Sequence, residues 1–455
     1  MNIETLNPAT GELLDVFQAM NSDQVMENVE QAHRSFLAWK ERPFPHRSRC
    51  MKNAARFLRE TAKECALLMA REMGKPVSQG IAEAQKCAWV CEYYAEHAQT
   101  FLRQEAVETA ASRSYIAFRP LGLILAVMPW NYPFWQVFRF AAPALMAGNG
   151  CVLKHASNVS GCALKIGDIF QKAGFPESLF SVLLIPSSDV ESVIEHPLIK
   201  AVTLTGSGTA GRAVAQAAGR VLKKTVMELG GSDPYIILQE ADLEFAARIC
   251  ATSRLLNSGQ SCIAAKRFIV AKSVAERFEE LLIEEMRKYT VGDPMKENTD
   301  IGPLARKDLR EELQRQVLGS IKLGARCLLG GRIPEGAGFF YPATLLTDVR
   351  RGMPAFEEET FGPVAAITPV ESEREAVELA NSSSFGLGAA VFTQDREKGE
   401  QIAREQLEAG SCFVNDFVKS DPRLPFGGIK ESGYGRELSS YGIKEFVNIK
   451  SVFVR

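Results

Sequence analysis

The sequence predicts an α/β fold with at least two large domains, in which helices cover mainly parallel sheets. The chain has 455 residues, more than a single hydrophobic core ordinarily supports. Residues 126–230 alternate short apolar segments with helical segments, which is typical of a parallel sheet in a nucleotide-binding domain. A second series of strands and helices begins near Asp233.

The individual elements follow from the hydrophobic period. Residues 22–105 are predicted to be helical, since apolar residues recur at helical spacing behind a Ser22/Asp23 cap. The segment YIAFRPLGLILAV predicts two strands with a turn at Pro120 and Gly122. Further strands are predicted at CVLK, FSVLLI, AVTLTG, KTVMEL, FIVA, FYPATLL, AAITPV and AAVFT. Further helices are predicted at 134–147, 159–172, just before AVTLTG, from 209, at 242–256 and at 274–288.

Composition excludes several classes of protein. The formal net charge is −2 and long basic runs are absent, which argues against binding to nucleic acid or an anionic membrane. The apolar stretch at 121–130 is far shorter than the roughly 20 residues of a membrane helix. The amino terminus lacks a secretory pattern, and the ten cysteines include no CxxC, so we expect reduced thiols in the cytoplasm.

Cys87 and Cys91 are the cysteine pair that could suggest a metal. They lie one helical turn apart, but no histidine joins them. We therefore predict that they pack in a helical core and that the chain holds no metal.

The segment NSGQSC places a thiol, Cys262, after small and polar residues. A structural cysteine normally lies among apolar neighbours, where its thiol is inert. Cys262 instead follows a flexible backbone and precedes Lys266 and Arg267, a setting that favours a thiolate. The local sequence therefore favours a thiolate over a structural cysteine, and the rest of the chain must decide between the two.

Three more segments carry candidate polar groups. Gly206, Gly208 and Gly211 follow a predicted strand and open a helix, as at a phosphate site, although a plain turn explains them equally well. Glu228 ends a strand before two glycines, at the sheet edge where α/β proteins bind ligands, although a capping or ion-paired glutamate is the default interpretation. Asn131 follows an apolar strand and has an amide suited to an oxyanion, although a turn residue is the simpler interpretation.

Taken together, these segments resemble the aldehyde dehydrogenase superfamily over essentially the whole chain. The matching stretches are PWNYP, CVLKHAS, TGS, ELGG, GQSC, ETFGP and PFGGIKESGYGRE, in the order that the family has them. The resemblance implies a Rossmann-like cofactor domain, an α/β catalytic domain and a β-strand oligomerisation arm.

The resemblance also implies catalytic roles. Cys262 is expected to add to an aldehyde, and the Asn131 amide and the Cys262 backbone N–H to hold the thiohemiacetal oxyanion. Glu228 is similar to the general base that activates water to hydrolyse the resulting thioester.

NAD or NADP is the cofactor that the resemblance implies. Glu359 corresponds to a ligand of the nicotinamide ribose and Lys154 to one of the adenosine ribose, while Gly206 and Ser207 fall at the pyrophosphate. The full set of expected cofactor-binding residues is Trp130, Lys154, Ser157, Gly206, Ser207, Leu229, Glu359 and Phe361.

The nucleotide preference is predicted from Ser157. NAD-preferring members of the family carry a glutamate at this position, which repels a 2′-phosphate. Serine leaves room for that phosphate and can donate to it, so we predict a preference for NADP with NAD still usable. The alternative is that Ser157 only caps the helix that begins near residue 159.

The substrate is predicted from Arg139, Ser420 and Trp135. Arg139 lies among apolar residues and needs an anionic partner if it is buried, although a surface ion pair is the default interpretation. The sequence looks closest to bacterial succinate-semialdehyde dehydrogenases, in which residues matching Arg139 and Ser420 hold the distal carboxylate. Leu256 replaces a second arginine that those enzymes often carry, and Lys419 is a candidate to assist.

The predicted domains are residues 1–105 with 126–229 for the dinucleotide, 230–430 for catalysis, and 106–125 with 437–455 for the oligomerisation arm. The terminal VNIKSVFVR is expected to pair with a neighbouring subunit in a homodimer or homotetramer. Ala264 replaces the partner cysteine of some relatives, so no local disulfide switch is expected.

Other functions remain open at this point. Glutarate semialdehyde or a broad range of aliphatic aldehydes are alternative substrates. A CoA-acylating dehydrogenase would commonly lack the glutamate at Glu228, and a non-catalytic scaffold should lack the complete set of Asn131, Glu228 and Cys262. A cysteine hydrolase would need an activating histidine, but none lies near the Cys262 loop in a sequence whose histidines are His33, His46, His97, His155 and His196.

Overall fold

The structure is a computed structural model that describes residues 2–455. Helices and strands are numbered in chain order. The helices are α1 (Ser22–Trp39), α2 (Phe44–Glu60), α3 (Ala62–Met73), α4 (Val77–Phe101), α5 (Trp135–Met146), α6 (Ser160–Lys172), α7 (Val190–Glu195), α8 (Gly208–Arg220), α9 (Leu243–Leu255), α10 (Lys272–Met286), α11 (Lys307–Lys322), α12 (Pro354–Glu357), α13 (Glu373–Asn381), α14 (Arg396–Gln401) and α15 (Ser439–Gly442). The strands are β1 (Asn2–Leu6), β2 (Leu13–Gln18), β3 (Glu105–Ala106), β4 (Arg113–Pro120), β5 (Leu123–Met128), β6 (Gly150–His155), β7 (Phe180–Val182), β8 (Ile199–Thr205), β9 (Lys224–Glu228), β10 (Asp233–Ile237), β11 (Ala265–Ala271), β12 (Arg326–Leu329), β13 (Thr344–Thr347), β14 (Val364–Val370), β15 (Phe385–Gly386), β16 (Gly388–Phe392), β17 (Ser411–Val414), β18 (Ile429–Lys430), β19 (Gly433–Tyr434) and β20 (Val447–Val454).

A six-stranded sheet of order β19-β9-β8-β5-β6-β7 confirms the alternation predicted for residues 126–230. Its strands are parallel except for β19. The chain starts in the middle at β5, winds outward through β6 and β7, and returns on the other side through β8 and β9. Ligands of such sheets bind at the carboxyl ends of the strands where the winding reverses, which here is between β5 and β8.

A seven-stranded sheet of order β12-β13-β14-β11-β10-β16-β17 forms the second series, and only β12 runs antiparallel to its neighbour. The amino-terminal ends of its central strands are held together by Asp233. Its carboxylate accepts a hydrogen bond of 3.0 Å from the backbone N–H of Gly388 at the start of β16. Cys262 lies three residues before β11, at this same end of the sheet.

A third sheet, of order β20-β4-β3, stands apart from these two. β20 pairs with β4 along its whole length, and it leaves Ile449 and Phe453 59% and 61% exposed. The outer edge of β20 has no partner strand within residues 2–455.

The helical segment predicted at 22–105 is confirmed as α1 to α4, and Cys87 and Cys91 are buried in the core on α4, as expected. The sequence pattern did not predict α11, because this helix is rich in charged residues. Its buried face is narrow and contains Leu313 and Val317 as its apolar residues. The predicted strand FYPATLL is reduced to Thr344–Thr347, since Pro342 cannot donate to a ladder. No helix within residues 2–455 is both long and apolar enough to cross a membrane.

Candidate active site

The loop that carries Cys262 has an unusual backbone. Asn257, Ser258 and Gly259 adopt φ values of 56°, 56° and 72° in succession, which is the left-handed region. A Cβ at Gly259 would overlap the carbonyl group of Gly362, so only glycine fits this close approach. The loop therefore depends on direct contact with the ETFGP segment.

Lys266 ties this loop to two other quoted segments. Its buried ammonium donates to the carbonyl oxygens of Ser261 (3.0 Å) and Cys262 (2.7 Å) and lies 3.6 Å from the Glu359 carboxylate. Glu359 in turn accepts a hydrogen bond of 3.0 Å from the backbone N–H of Gly231. A Cβ at Gly231 would lie 2.7 Å from the Cys262 carbonyl oxygen. The ELGG, GQSC and ETFGP segments thus meet at one point.

Cys262 faces a cavity of about 700 Å³. Three of the predicted substrate-binding side chains line this cavity: Trp135, Arg139 and Ser420. Among the described residues, Glu228 and Asn131 do not contribute to its lining. The structure therefore joins the expected nucleophile to the substrate candidates and leaves the expected general base outside this lining.

The Cys262 thiol is not ionised in this environment. Burial raises its pKa to about 12, and the positive charges of Lys266 and Arg139 offset only part of this effect. Arg267, which the sequence suggested as a second stabilising cation, points elsewhere and donates to the carbonyl oxygens of Ser232, Leu379 and Ala380. The expectation that both flanking cations favour a thiolate is therefore wrong, and Cys262 needs a base.

Glu228 ends β9 and is buried. Neither of its carboxylate oxygens has a hydrogen-bond partner among residues 2–455, so it is not the capping or ion-paired glutamate of the default interpretation. Burial, followed by repulsion from Glu437, raises its pKa well above the usual range. Burial therefore favours the protonated form of this carboxyl, which must lose its proton before it can act as a base.

Asn131 packs against the Cys262 loop. Its side-chain amide donates to the carbonyl oxygen of Gln260 (3.1 Å), and the Asn257 amide donates to the carbonyl oxygens of Asn131 (2.8 Å) and Gln260 (3.1 Å). The second N–H of the Asn131 amide remains available to an oxyanion.

Arg139 on α5 forms a buried ion pair with Glu437, with side chains only 2% and 4% exposed. Its guanidinium also lies 4.6 Å from the centre of the Phe426 ring. The surface ion pair of the default interpretation is thus wrong, and the anionic partner that burial requires is Glu437. Sequence reasoning missed this role, although Glu437 stands in the quoted PFGGIKESGYGRE segment.

The expected cofactor residues lie along the carboxyl edge of the six-stranded sheet. Trp130 follows β5, and Lys154 is the residue before the last one of β6. Gly206 and Ser207 follow β8, and Leu229 follows β9. Ser207 caps α8 by accepting a hydrogen bond from the backbone N–H of Ala210. The rings of Trp130 and Phe361 meet edge to face at 5.7 Å, which brings the ETFGP segment to the same edge.

Lys154 and Ser157 lie three residues apart in the chain at this edge. Lys154 is 7% exposed, and no carboxylate within residues 2–455 lies within 4 Å of its ammonium. Ser157 is exposed and does not cap α6, because the backbone N–H groups of Gly161 (2.7 Å) and Cys162 (2.9 Å) donate to Glu72 instead. The capping alternative for Ser157 is therefore excluded.

Comparison with known proteins agrees with this geometry. A family model described as the aldehyde dehydrogenase family matches residues 1–452. A probable succinate-semialdehyde dehydrogenase (NADP⁺) of Synechocystis sp. is 50% identical over 454 residues, which cover all of both chains. A succinate semialdehyde dehydrogenase (NAD(P)⁺) of Escherichia coli is 45% identical and covers 99% of this chain and 97% of its own. The crystal structure of a succinic semialdehyde dehydrogenase of Streptococcus pyogenes with NADP⁺ has a TM-score of 0.97 at 36% identity, over 99% of both chains.

The contact at Gly259 leads to a stability prediction. Gly259→Ala should lower the free energy of unfolding by at least about 2 kcal/mol, because alanine is strained at positive φ and its Cβ overlaps Gly362. Gly219→Ala on α8 is the control, since a Cβ there meets no atom within 4 Å in the described chain and φ is ordinary. That variant should be neutral or gain about 0.5–1 kcal/mol. Urea unfolding measures both, and equal midpoints for the two variants would contradict the packing argument.

The protonated state of Cys262 leads to a second prediction. With a pKa of about 12, the thiolate fraction, and with it the rate of alkylation by iodoacetamide, should rise about tenfold for each pH unit between 7 and 10. Peptide mapping by mass spectrometry measures this rate in the free protein, with the exposed Cys327 as the reference for reagent delivery. A rate that levels off above pH 8 would show that Cys262 is already a thiolate.

Proposed function

Because the chain belongs to the aldehyde dehydrogenase family, we propose that it oxidises succinic semialdehyde to succinate with NADP preferred over NAD. The observation that carries this proposal is one cavity that joins the Cys262 thiol to the basic and hydroxyl side chains of Arg139, Lys86 and Ser420. A thiol suits the aldehyde end of this substrate, and basic groups suit its carboxylate. The descriptions of the relatives from Synechocystis and Escherichia coli support the same substrate and nucleotides.

The residues at the carboxyl edge of the six-stranded sheet fit a dinucleotide. The exposed amino terminus of α8, with Gly206 and Ser207 before it, offers backbone N–H groups to a pyrophosphate. Lys154 supplies an ammonium that no carboxylate in residues 2–455 neutralises, and Ser157, three residues later in the chain, is exposed. Both features suit the 2′-phosphate of NADP. When bound, the nicotinamide accepts a hydride from the carbon under oxidation.

In the proposed mechanism the sulfur of Cys262 bonds to the aldehyde carbon as the thiol passes its proton to solvent water. The Asn131 amide and the Cys262 backbone N–H hold the oxyanion of this thiohemiacetal. Oxidation leaves a thioester on Cys262. Glu228, after it has released its own proton to solvent, takes a proton from water as the water oxygen bonds to the carbonyl carbon. The carbon–sulfur bond then breaks, and the proton passes from Glu228 to the departing sulfur, which releases the acid and restores the thiol. Glu228 must rotate toward the cavity for this step, and its carboxylate has no hydrogen bond in the described chain to hold it back.

We also propose the domain roles and assembly that the resemblance implies. Residues 1–105 with 126–229 bind the nucleotide, 230–430 carry catalysis, and 106–125 with 437–455 form the arm of a homodimer or homotetramer. The open edge of β20 and the exposed Ile449 and Phe453 support this role of the arm. All ten cysteines are free thiols, which supports a cytoplasmic location.

Two variants test the proposed roles of Cys262 in adding to the aldehyde and of Glu228 in hydrolysing the thioester. Cys262→Ala should abolish aldehyde oxidation and leave NADP binding intact. Glu228→Gln should give a burst of NADPH equal to the number of active sites, followed by turnover slowed by a factor of about 100 to 10,000, because the thioester accumulates. Stopped-flow absorbance of NADPH measures both, with Cys327→Ala as the exposed-thiol control. Normal turnover in Cys262→Ala would contradict the proposed mechanism.

Ser157→Glu tests the nucleotide preference. A carboxylate at this position should repel the 2′-phosphate and raise the KM for NADP far more than the KM for NAD, which reverses the preference. Ser157→Ala is the matched control, since it removes the hydroxyl without adding charge and should weaken NADP only slightly. Steady-state kinetics with each nucleotide measure the change. A wild-type enzyme that favours NAD at equal concentrations would refute the role of Ser157.

A further inference from the structure

Lys86 is a basic residue of the cavity to which neither the motifs nor the resemblance assign a role. It lies on α4, and its ammonium donates a hydrogen bond of 2.8 Å to the hydroxyl of Ser420. The same ammonium lies 4.3 Å from the centre of the Trp135 ring. A hydroxyl and an aromatic face therefore fix the charge at the cavity wall.

The other three cations that line this cavity are already neutralised. Lys75 is paired with Glu83, and Arg139 with Glu437. Lys419 is paired with Asp416 at 2.6 Å.

Lys86 differs from these three cations. No carboxylate within the described residues 2–455 lies within 4 Å of its ammonium. The nearby Asp421 is itself paired with Arg423 at 2.6 Å. Lys86 is thus the cavity cation with an open position for an anion.

We propose that Lys86, held by Ser420 and Trp135, binds the distal carboxylate of the aldehyde substrate and so determines the preference for an acidic aldehyde. This inference rests on the proposed function, since it names the group that recognises the carboxylate. An ammonium has three N–H donors, and Ser420 takes one of them. The remaining donors reach a carboxylate that enters the same cavity as the Cys262 thiol. Arg139, which also lines the cavity, adds positive potential at the bound carboxylate while its guanidinium stays paired with Glu437.

The protonation of Lys86 supports this role. Burial, followed by repulsion from Arg139 on α5, lowers the pKa of Lys86 to about 8. Glu83 and Cys87 on its own helix and Asp421 on the facing loop act in the opposite direction. Lys86 is therefore charged below pH 8 and becomes neutral above it. A substrate carboxylate stays ionised over this whole range.

The experiment compares kcat/KM for succinic semialdehyde with kcat/KM for butanal, which has the same length and no carboxylate. The ratio of the two constants cancels effects on Cys262 that both aldehydes share. Lys86→Met should lower this ratio about tenfold or more, mainly through the KM for succinic semialdehyde. In the wild-type enzyme the ratio should fall as the pH rises through about 8, and in Lys86→Arg it should stay flat because arginine remains charged.

Each outcome decides between the alternatives. A wild-type enzyme without any preference for succinic semialdehyde contradicts the proposed function itself. A wild-type preference that Lys86→Met leaves unchanged overturns only the role of Lys86. A loss of preference in Lys419→Met with none in Lys86→Met assigns the carboxylate to Lys419 and also overturns the proposal. A ratio that falls with pH equally in Lys86→Arg and the wild type contradicts titration of Lys86 as its cause.

Discussion

The ammonium of Lys266 is the contact on which the rest of the site depends. It is fully buried and donates hydrogen bonds to the carbonyl oxygens of Ser261 and Cys262. It also pairs with Glu359, whose carboxylate accepts a hydrogen bond from the backbone N–H of Gly231. One side chain thus holds together the loop of Cys262, the glycine turn at Gly231, and the segment of Glu359 that is expected at the nicotinamide ribose. Removing one partner of a buried pair leaves the other uncompensated, which typically costs about 3–5 kcal/mol. The left-handed backbone at 257–259 is held in turn by the close packing of Gly259 on Gly362 and by the Asn257 amide, which donates to the carbonyl oxygens of Asn131 and Gln260.

The electrostatics of the site favour the protonated forms of Cys262 and Glu228. Burial raises the pKa of both the Cys262 thiol and the Glu228 carboxyl. The positive charge of Arg139 lowers both pKa values, while Glu437, its partner, raises that of Glu228. The Arg139–Glu437 pair therefore sets a potential that both catalytic groups experience. A site of this kind resists adventitious alkylation and oxidation, because the thiolate is the form that reacts with electrophiles.

Much of this arrangement could be predicted from the sequence, and the limits have physical causes. The six-stranded sheet followed from hydrophobic alternation, because strand and helix periods are local properties of the chain. The buried partner of Arg139 did not, since it comes from a segment almost 300 residues away and pairing in space leaves no local period. Lys86 was missed for the same reason: α4 reads as an amphipathic helix, and only folding brings it to Ser420. The thiolate was expected because charge counts along the chain ignore desolvation, which here outweighs the nearby cations.

The carboxy-terminal segment connects the six-stranded, the seven-stranded and the three-stranded sheet. β18 pairs with β15 beside the catalytic sheet, and three residues later β19 pairs with β9, so that Gly433 lies opposite Glu228. Four residues further on, Glu437 pairs with Arg139, and the chain then continues into β20. The segment from Gly433 to Val447 therefore links the strand that holds Glu228, the ion pair at the cavity, and the exposed sheet edge. Because packed cores transmit strain rather than absorb it, a displacement of β20 would be transmitted to the Arg139–Glu437 pair. The position of β20 and the charge balance of the Cys262 cavity thus depend on the same segment.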